Sequence, residues 1–178
     1  MKPGVLQNTK TGLEIFLRPV EAADQLLVEN FLVTLSLESL RRRFLSVRKN
    51  ILDDFLFNLF ISASDRENNI LVIVNRNKIE RVVGIGQFHT NSGASFPEVA
   101  LVVGDSYQNK GIGRELLAYL VQLAKSSDLK GFEAVVQTDN RPILHLCETI
   151  GLGDLEKIVR LGVYELKMYF EDERGLMD

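Results

Sequence analysis

The sequence predicts a single domain of mixed α/β architecture, a mixed sheet with helices on both faces. Three observations lead there. At 178 residues with 46% hydrophobic content, the chain is long enough for one well-buried core and not for two. Residues 99–103 (VALVV) are an unbroken apolar run, as a strand covered on both faces requires, and they turn through glycine into a helical pattern. Segments of strand and helix period follow one another as β, helices, β-hairpin, β, α, β, α, β, β, with no internal repeat, linker or low-complexity stretch. The expected domain therefore runs over 1–178.

Each element has its own signal. Residues 13–19 (LEIFLRP) alternate Leu13, Ile15 and Leu17, a first strand closed by proline. From Val20 the period turns helical, with Ala23, Leu26, Leu27, Asn30 and Phe31 on one face. A short second helix over 37–44 (LESLRRRF) takes Ser36 as N-cap. A third over 51–60 (ILDDFLFNLF) carries Asp53 and Asp54 in its first turn, where the helix dipole favours them. Residues 70–74 (ILVIV) and 79–88 are strands joined by turn residues 75–78 (NRNK), a hairpin; a loop follows at 91–95. After the 99–103 strand the chain turns through Gly104, Asp105 and Ser106 into a helix marked by Ile112, Leu116, Leu120, Leu123 and Ala124. Residues 132–138 (FEAVVQT) read as a strand. Asn140 caps a helix with Pro142 in its first turn and Gly151 at its stop. Strands at 156–161 and 163–170 and a solvated acidic tail close the chain.

Composition excludes several functions. Charged residues are 25% of the chain and the net charge is -3, a balance that argues against a nucleic-acid binder, which would need a strongly basic face. Cys147 is the only cysteine, which excludes an internal disulfide and points to a reducing compartment. Residues 1–10 are polar and unlike a signal peptide, and no apolar run is long enough to cross a membrane, so the expected location is cytoplasmic. His89, His145 and Cys147 do not make a zinc set, and no metal is expected. There is no G-x-S-x-G elbow. A P-loop fails because Asn109 stands where the second glycine belongs, and a dinucleotide fingerprint fails at Leu116.

What remains is Q-x-x-G-x-G, Gln108 to Gly113, after a buried strand. Bare backbone N–H groups at the positive end of a helix make an anion site best suited to phosphate. Gly111 and Gly113 let a ligand approach the backbone, and Lys110 and Arg114 flank the turn with charge. The same residues also fit a plain tight strand–helix connection with solvated cations, and the short motif by itself does not decide.

In context, the arrangement resembles the acetyl-CoA-binding core of the GNAT N-acetyltransferase superfamily over nearly the whole chain. The resemblance implies the GNAT fold, a mixed, mostly antiparallel central sheet of about seven strands. It implies that Gln108, Asn109, Lys110, Gly111, Ile112, Gly113 and Arg114 cradle the pyrophosphate of coenzyme A. Leu101, Val102 and Val103 would offer backbone hydrogen bonds to the pantetheine arm. Asn140, Ile143, Leu146 and Gly151 match the family's N-x-x-(apolar)…G-F segment, with Leu152 in place of Phe, which adds Asn140 to the cofactor-binding set. Residues 36–46 (SLESLRRRFLS) resemble the S-x-E-S-x-R-x-R-F pattern of bacterial protein-lysine acetyltransferases that modify acyl-CoA synthetases; Ser39, Arg41, Arg43 and Phe44 match. Those arginines either steer an acceptor or are simply solvated.

Acetyl transfer to an amine needs a base, a polarised thioester carbonyl and a proton for the departing thiolate. Many family members place a Tyr acid four residues before the helix-ending Gly; here that position is Cys147. Glu98 is the expected base. It lies ~16 Å back along the strand from Val103, in the direction of the pantetheine arm, and shares a face with Ala100 and Val102. His89 is the alternative base. The implied function is transfer of acetyl from acetyl-CoA to a primary amine, a protein lysine by resemblance. A small-molecule acceptor and a catalytically weak acyl-CoA-binding module stay open, as does an oligomer.

Overall fold

A computed structural model of the protein describes residues 4–45, 49–61, 66–90 and 96–171. The expected loop at 91–95, Ser46 and the tail beyond Glu171 lie outside them. Eight strands form one sheet: β1 (Val5–Asn8), β2 (Glu14–Pro19), β3 (Asn69–Arg76), β4 (Ile79–His89), β5 (Glu98–Val103), β6 (Gly131–Gln137), β7 (Leu155–Arg160) and β8 (Val163–Tyr169). Their spatial order is β1-β2-β3-β4-β5-β6-β8-β7. Every neighbouring pair is antiparallel except β5 and β6. The strand beyond the expected seven is β1. Val5 and Leu6 on it are exposed, so no apolar alternation announces it, and its main chain pairs with β2 along the sheet edge.

Helices α1 (Gln25–Leu32), α2 (Leu37–Phe44) and α3 (Ile51–Ile61) cover one face around Leu71, Ile73, Ile85 and Val102. Helices α4 (Ile112–Lys125) and α5 (Arg141–Thr149) cover the other, around Ile70, Val72, Phe88 and Phe132. β3 is therefore buried on both faces, the physical reason for its apolar run. α4 lies so close to β4 that a Cβ on Gly86 would come within 2.9 Å of Leu116 and Leu120. Among the described residues no helix is long and apolar enough to cross a membrane.

The first helix departs from its expected phase. It starts at Gln25, after a 3-10 turn over Ala22–Asp24, and buries Val28, Phe31 and Leu32, whereas Leu26 is 66% exposed. Asp24 sets this start. Its carboxylate accepts the Glu21 N–H at 2.8 Å and both Arg18 amino groups at 2.6 and 2.7 Å.

β5 and β6 touch only at one end. Glu98 pairs with Glu133, and the Glu133 N–H donates to the Pro97 carbonyl at 2.9 Å. Phe132 holds this end together, 5.3 Å from Phe88 and 5.0 Å from Phe170 between ring centroids. Beyond it the two strands diverge, and the edge of β5 faces a cleft.

Candidate functional site

The cleft is a cavity of about 580 Å³. The length of β5 forms one wall, Ala134 and Val136 of β6 the opposite wall, and Ile143, Leu146 and Cys147 of α5 close the far side. At the C-terminal end of β5, Gly104 leads through a 3-10 turn, Asp105–Tyr107, to the start of α4. Asn109 (φ 59°) and Gly111 (φ 84°) are both left-handed. Among the described residues no backbone carbonyl accepts the N–H groups of residues 109–113. Successive unpaired N–H groups in such a turn, at the N-terminus of a 14-residue helix, form a concave anion site. Gly111 also sits where a Cβ would lie 3.3 Å from the Thr9 Cβ.

The expected cofactor residues Leu101, Val102, Val103, Gln108, Asn109, Gly111, Ile112, Gly113, Arg114 and Asn140 all line this cavity. Lys110 does not. Its Nζ turns back to the Ser106 carbonyl at 2.8 Å and lies 5.0 Å from the Tyr107 ring centroid, so its charge is spent on its own turn. Gln108 is a brace as well as a wall: its amide N–H donates to the Val103 carbonyl at 3.1 Å and to Ser39 Oγ at 3.2 Å. Arg114 donates to the Thr149 carbonyl at 3.2 Å, tying α4 to the end of α5. Asn140 stands at the N-cap of α5, but its side chain makes no capping hydrogen bond.

At the other end of β5, Glu98 is exposed and lines the cavity. Strand register sets His89 opposite it on β4 and Glu133 beside it on β6. Directly opposed side chains on antiparallel strands have Cβ atoms roughly 5 Å apart, so both candidate bases occupy one patch. His89 Nε2 lies 2.7 Å from the Gln87 amide nitrogen. Cys147 is buried, and burial, with the Glu148 charge adding, pushes its thiol up to about 11. From there, protonating an ordinary thiolate would cost roughly 3 kcal/mol. Cys147 is thus a weaker acid than an ordinary thiol.

The helix α2 spans the mouth of the cleft and is fastened at both ends. At its start the Ser36 side chain accepts the Ser39 N–H at 3.2 Å, the expected N-cap. The Asp105 carboxylate accepts the Ser36 N–H (3.0 Å), the Ser36 hydroxyl (2.6 Å) and the Ser39 hydroxyl (3.0 Å). Burial alone would raise the Asp105 carboxyl, but these bonds outweigh it and hold it below the usual range. At its end, Arg41 donates to Gln137, the last residue of β6, and, at 2.8 Å, to Asp139 just past it. Sequence reading missed Asp105, Gln137 and Asp139. The one available signal was a carboxylate in the turn between two motifs, and its partner lies far away in the chain.

The three arginines of α2 have separate surroundings. Arg41 bonds to the β6 end, and Arg42 pairs with Glu38 at 2.8 Å. Arg43 turns inward to the cavity, its guanidinium carbon 5.0 Å from the Phe44 centroid and 5.3 Å from that of Phe55. Burial pushes this guanidinium down to about 10, with the Glu98 charge opposing, and it stays cationic at neutral pH.

A central sheet that splits between parallel strands, with an anion nest at one end of the split, defines the class: a GNAT-fold transferase. The acetyltransferase (GNAT) family matches residues 34–152, and the chain belongs to that family. Over 147 residues, 81% of this chain, it is 32% identical to Acetyltransferase Pat of Mycolicibacterium smegmatis and spans 43% of that protein's length. The GNAT domain of S. lividans PAT has the same fold, with a TM-score of 0.78 at 17% identity over 96% of this chain and 100% of that one. A cAMP-binding acyltransferase from Mycobacterium smegmatis aligns with a TM-score of 0.61 at 25% identity, over 99% of this chain and 50% of that one.

Proposed function

We propose that the protein transfers the acetyl group of acetyl-CoA to a primary amine, a protein lysine, by direct attack of the amine on the thioester. The observation that carries this is the continuous cleft along β5, which begins at unpaired N–H groups of residues 109–113 and ends at Glu98. The residues present fit acetyl-CoA. The nest suits a pyrophosphate, the open β5 edge from Leu101 to Val103 suits the amides of a pantetheine arm, and Asn140 offers a free amide from α5. When bound, acetyl-CoA supplies an activated acyl carbon.

Glu98 accepts the proton that the attacking amine loses as its nitrogen bonds to the acyl carbon. The β5 wall orients the thioester toward the amine at the Glu98 end of the cleft. The carbon–sulfur bond breaks, and the thiolate takes its proton from solvent at the mouth of the cleft. Lysine as acceptor is supported by the resemblance of residues 36–44 to protein-lysine acetyltransferases. A single cysteine, held as a thiol, suits a reducing cytoplasm.

An acceptor screen tests this reading: CoA release from acetyl-CoA with protein lysines, peptide lysines and small amines. Turnover with small amines and none with any protein would refute the lysine assignment. Position 147 lends itself to one competing reading, a catalytically weak acyl-CoA-binding module, and saturable acetyl-CoA binding without turnover across the whole panel would establish that instead.

A further inference from the structure

Acetyl transfer to an amine calls for no cation beside the base, yet Arg43 puts one there. Arg41 and Arg42 are each paired with carboxylates, although the buried Arg42 Nε makes no hydrogen bond. The Arg43 guanidinium lies over the rings of Phe44 and Phe55, its carbon 5.0 and 5.3 Å from their centroids, and the two rings pack edge-on at 5.4 Å. Among the described residues no carboxylate lies within ion-pair distance of it and no acceptor takes its N–H donors. Contact with aromatic rings uses the charge of a guanidinium and leaves its rigid fork of donors unused. Arg43 borders the cavity, which Glu98 lines as well. A half-buried cation whose donors meet no protein acceptor is open to a ligand whose geometry matches its fork. A phosphate is the wrong ligand, since the nest for it lies at the far end of β5, ~16 Å away.

We propose that Arg43 forms a carboxylate-binding subsite beside the reacting centre. The carboxylate belongs either to the acyl group of a dicarboxylic CoA thioester, such as succinyl-CoA, or to the acceptor, next to its amine. This rests on the acyl-transfer reading of the cleft. The transfer step is unchanged: the amine nitrogen bonds to the thioester carbon, the carbon–sulfur bond breaks, the amine proton passes to Glu98, and the remote carboxylate takes no part beyond binding. Such a carboxylate also offsets the repulsion between Arg43 and an arriving ammonium.

Two arms test it. In the first, kcat/KM and the dissociation constant are measured for succinyl-CoA against butyryl-CoA, of similar length and uncharged, with one acceptor. In the second, acetyl-CoA is used with lysine peptides carrying Asp or Asn beside the lysine. In one arm the wild type favours the carboxylate, and Arg43→Gln lowers that charged-to-neutral ratio roughly 10- to 100-fold, as loss of a charge-assisted bidentate contact should. Arg43→Lys, which keeps the charge and loses the fork, lowers it less. The arm that responds identifies the source. A flat ratio in both arms, or ratios unaltered in both variants, overturns the inference. If no thioester turns over, the acyl-transfer reading has failed, and the dissociation constants of the same thioesters and peptides still decide the subsite: equal binding of charged and neutral partners overturns it.

Discussion

Asp105 accepts both the backbone N–H and the hydroxyl of Ser36, at 3.0 and 2.6 Å, across 69 positions of chain. One exposed carboxylate thus joins the helix over the cleft to the turn that begins the anion nest. Asp105→Ala should lower stability by about 1 kcal/mol, a charged hydrogen-bond set discounted for its contact with water. It should raise the KM for acetyl-CoA more than it lowers kcat, because it releases the wall of the binding cleft. A thermal melt and steady-state kinetics check both, and a variant that melts lower with unaltered KM would show that the bond serves stability alone.

The Arg18–Asp24 pair makes acid stability a test of the α1 start. Its side chains are 16% and 5% exposed. Burial alone would raise the Asp24 carboxyl, but hydrogen bonds from Arg18 and the Glu21 backbone outweigh it, so the folded carboxyl titrates below its unfolded value. A carboxyl lowered in this way contributes its stability above the unfolded value, about 3.9, and loses it as pH falls through the lower folded value. Asp24→Asn should cost about 3 kcal/mol at pH 7, since it strands a buried cation. Urea unfolding should show the wild type losing more stability than Asp24→Asn between pH 5 and pH 3; parallel losses would count against the pair.

The two ends of β5 should separate chemistry from binding. Glu98→Gln should reduce kcat by roughly 10²- to 10⁴-fold, the range for a positioned base. It should keep the melting shift that acetyl-CoA produces, about 2.7 kcal/mol of stabilisation at 100-fold its dissociation constant. Gly111→Ala should do the reverse, since an alanine at φ 84° strains the nest and its Cβ meets Thr9. Glu98→Gln with full turnover would move the role to His89, the neighbour across the strand pair.

Cys147 should be inert. With its thiol pushed up to about 11, its thiolate fraction at pH 8 is roughly 200-fold below that of a free cysteine. Iodoacetamide should therefore label the native protein slowly and the urea-unfolded protein quickly. Fast labelling of the native state would reopen a role for this thiol in proton transfer.

How much of this was legible in sequence differs from element to element. β3 reads clearly because burial on both faces demands an unbroken apolar run, and β5 carries a similar run although only its Val99 and Val102 are buried. The α4 start read clearly because only glycine takes the φ of Gly111 without strain. β1 left no mark, since an exposed edge strand is held by main-chain bonds that any residue makes. The phase of α1 was misread because its start is set by Arg18, six positions before Asp24, and not by the apolar spacing. Lys110 looked like a phosphate ligand because spacing records which residues are near, not where a flexible side chain turns.

The sequence by itself determined the family, the strand–turn–helix that opens α4 at Gly111, and Glu98 at the start of the strand that leads into it. Local rules suffice there, because backbone geometry and burial period depend on neighbours in the chain. Only the tertiary structure decided that β5 and β6 part after a single pair, that α2 is fastened across the gap by Asp105 and Asp139, and that Arg43 reaches the cleft without a carboxylate partner, against Phe44 and Phe55. Those relationships join residues tens of positions apart, and the physical cause is packing: α3 supplies the Phe55 ring that holds Arg43 inward, and no local pattern around Arg43 encodes it.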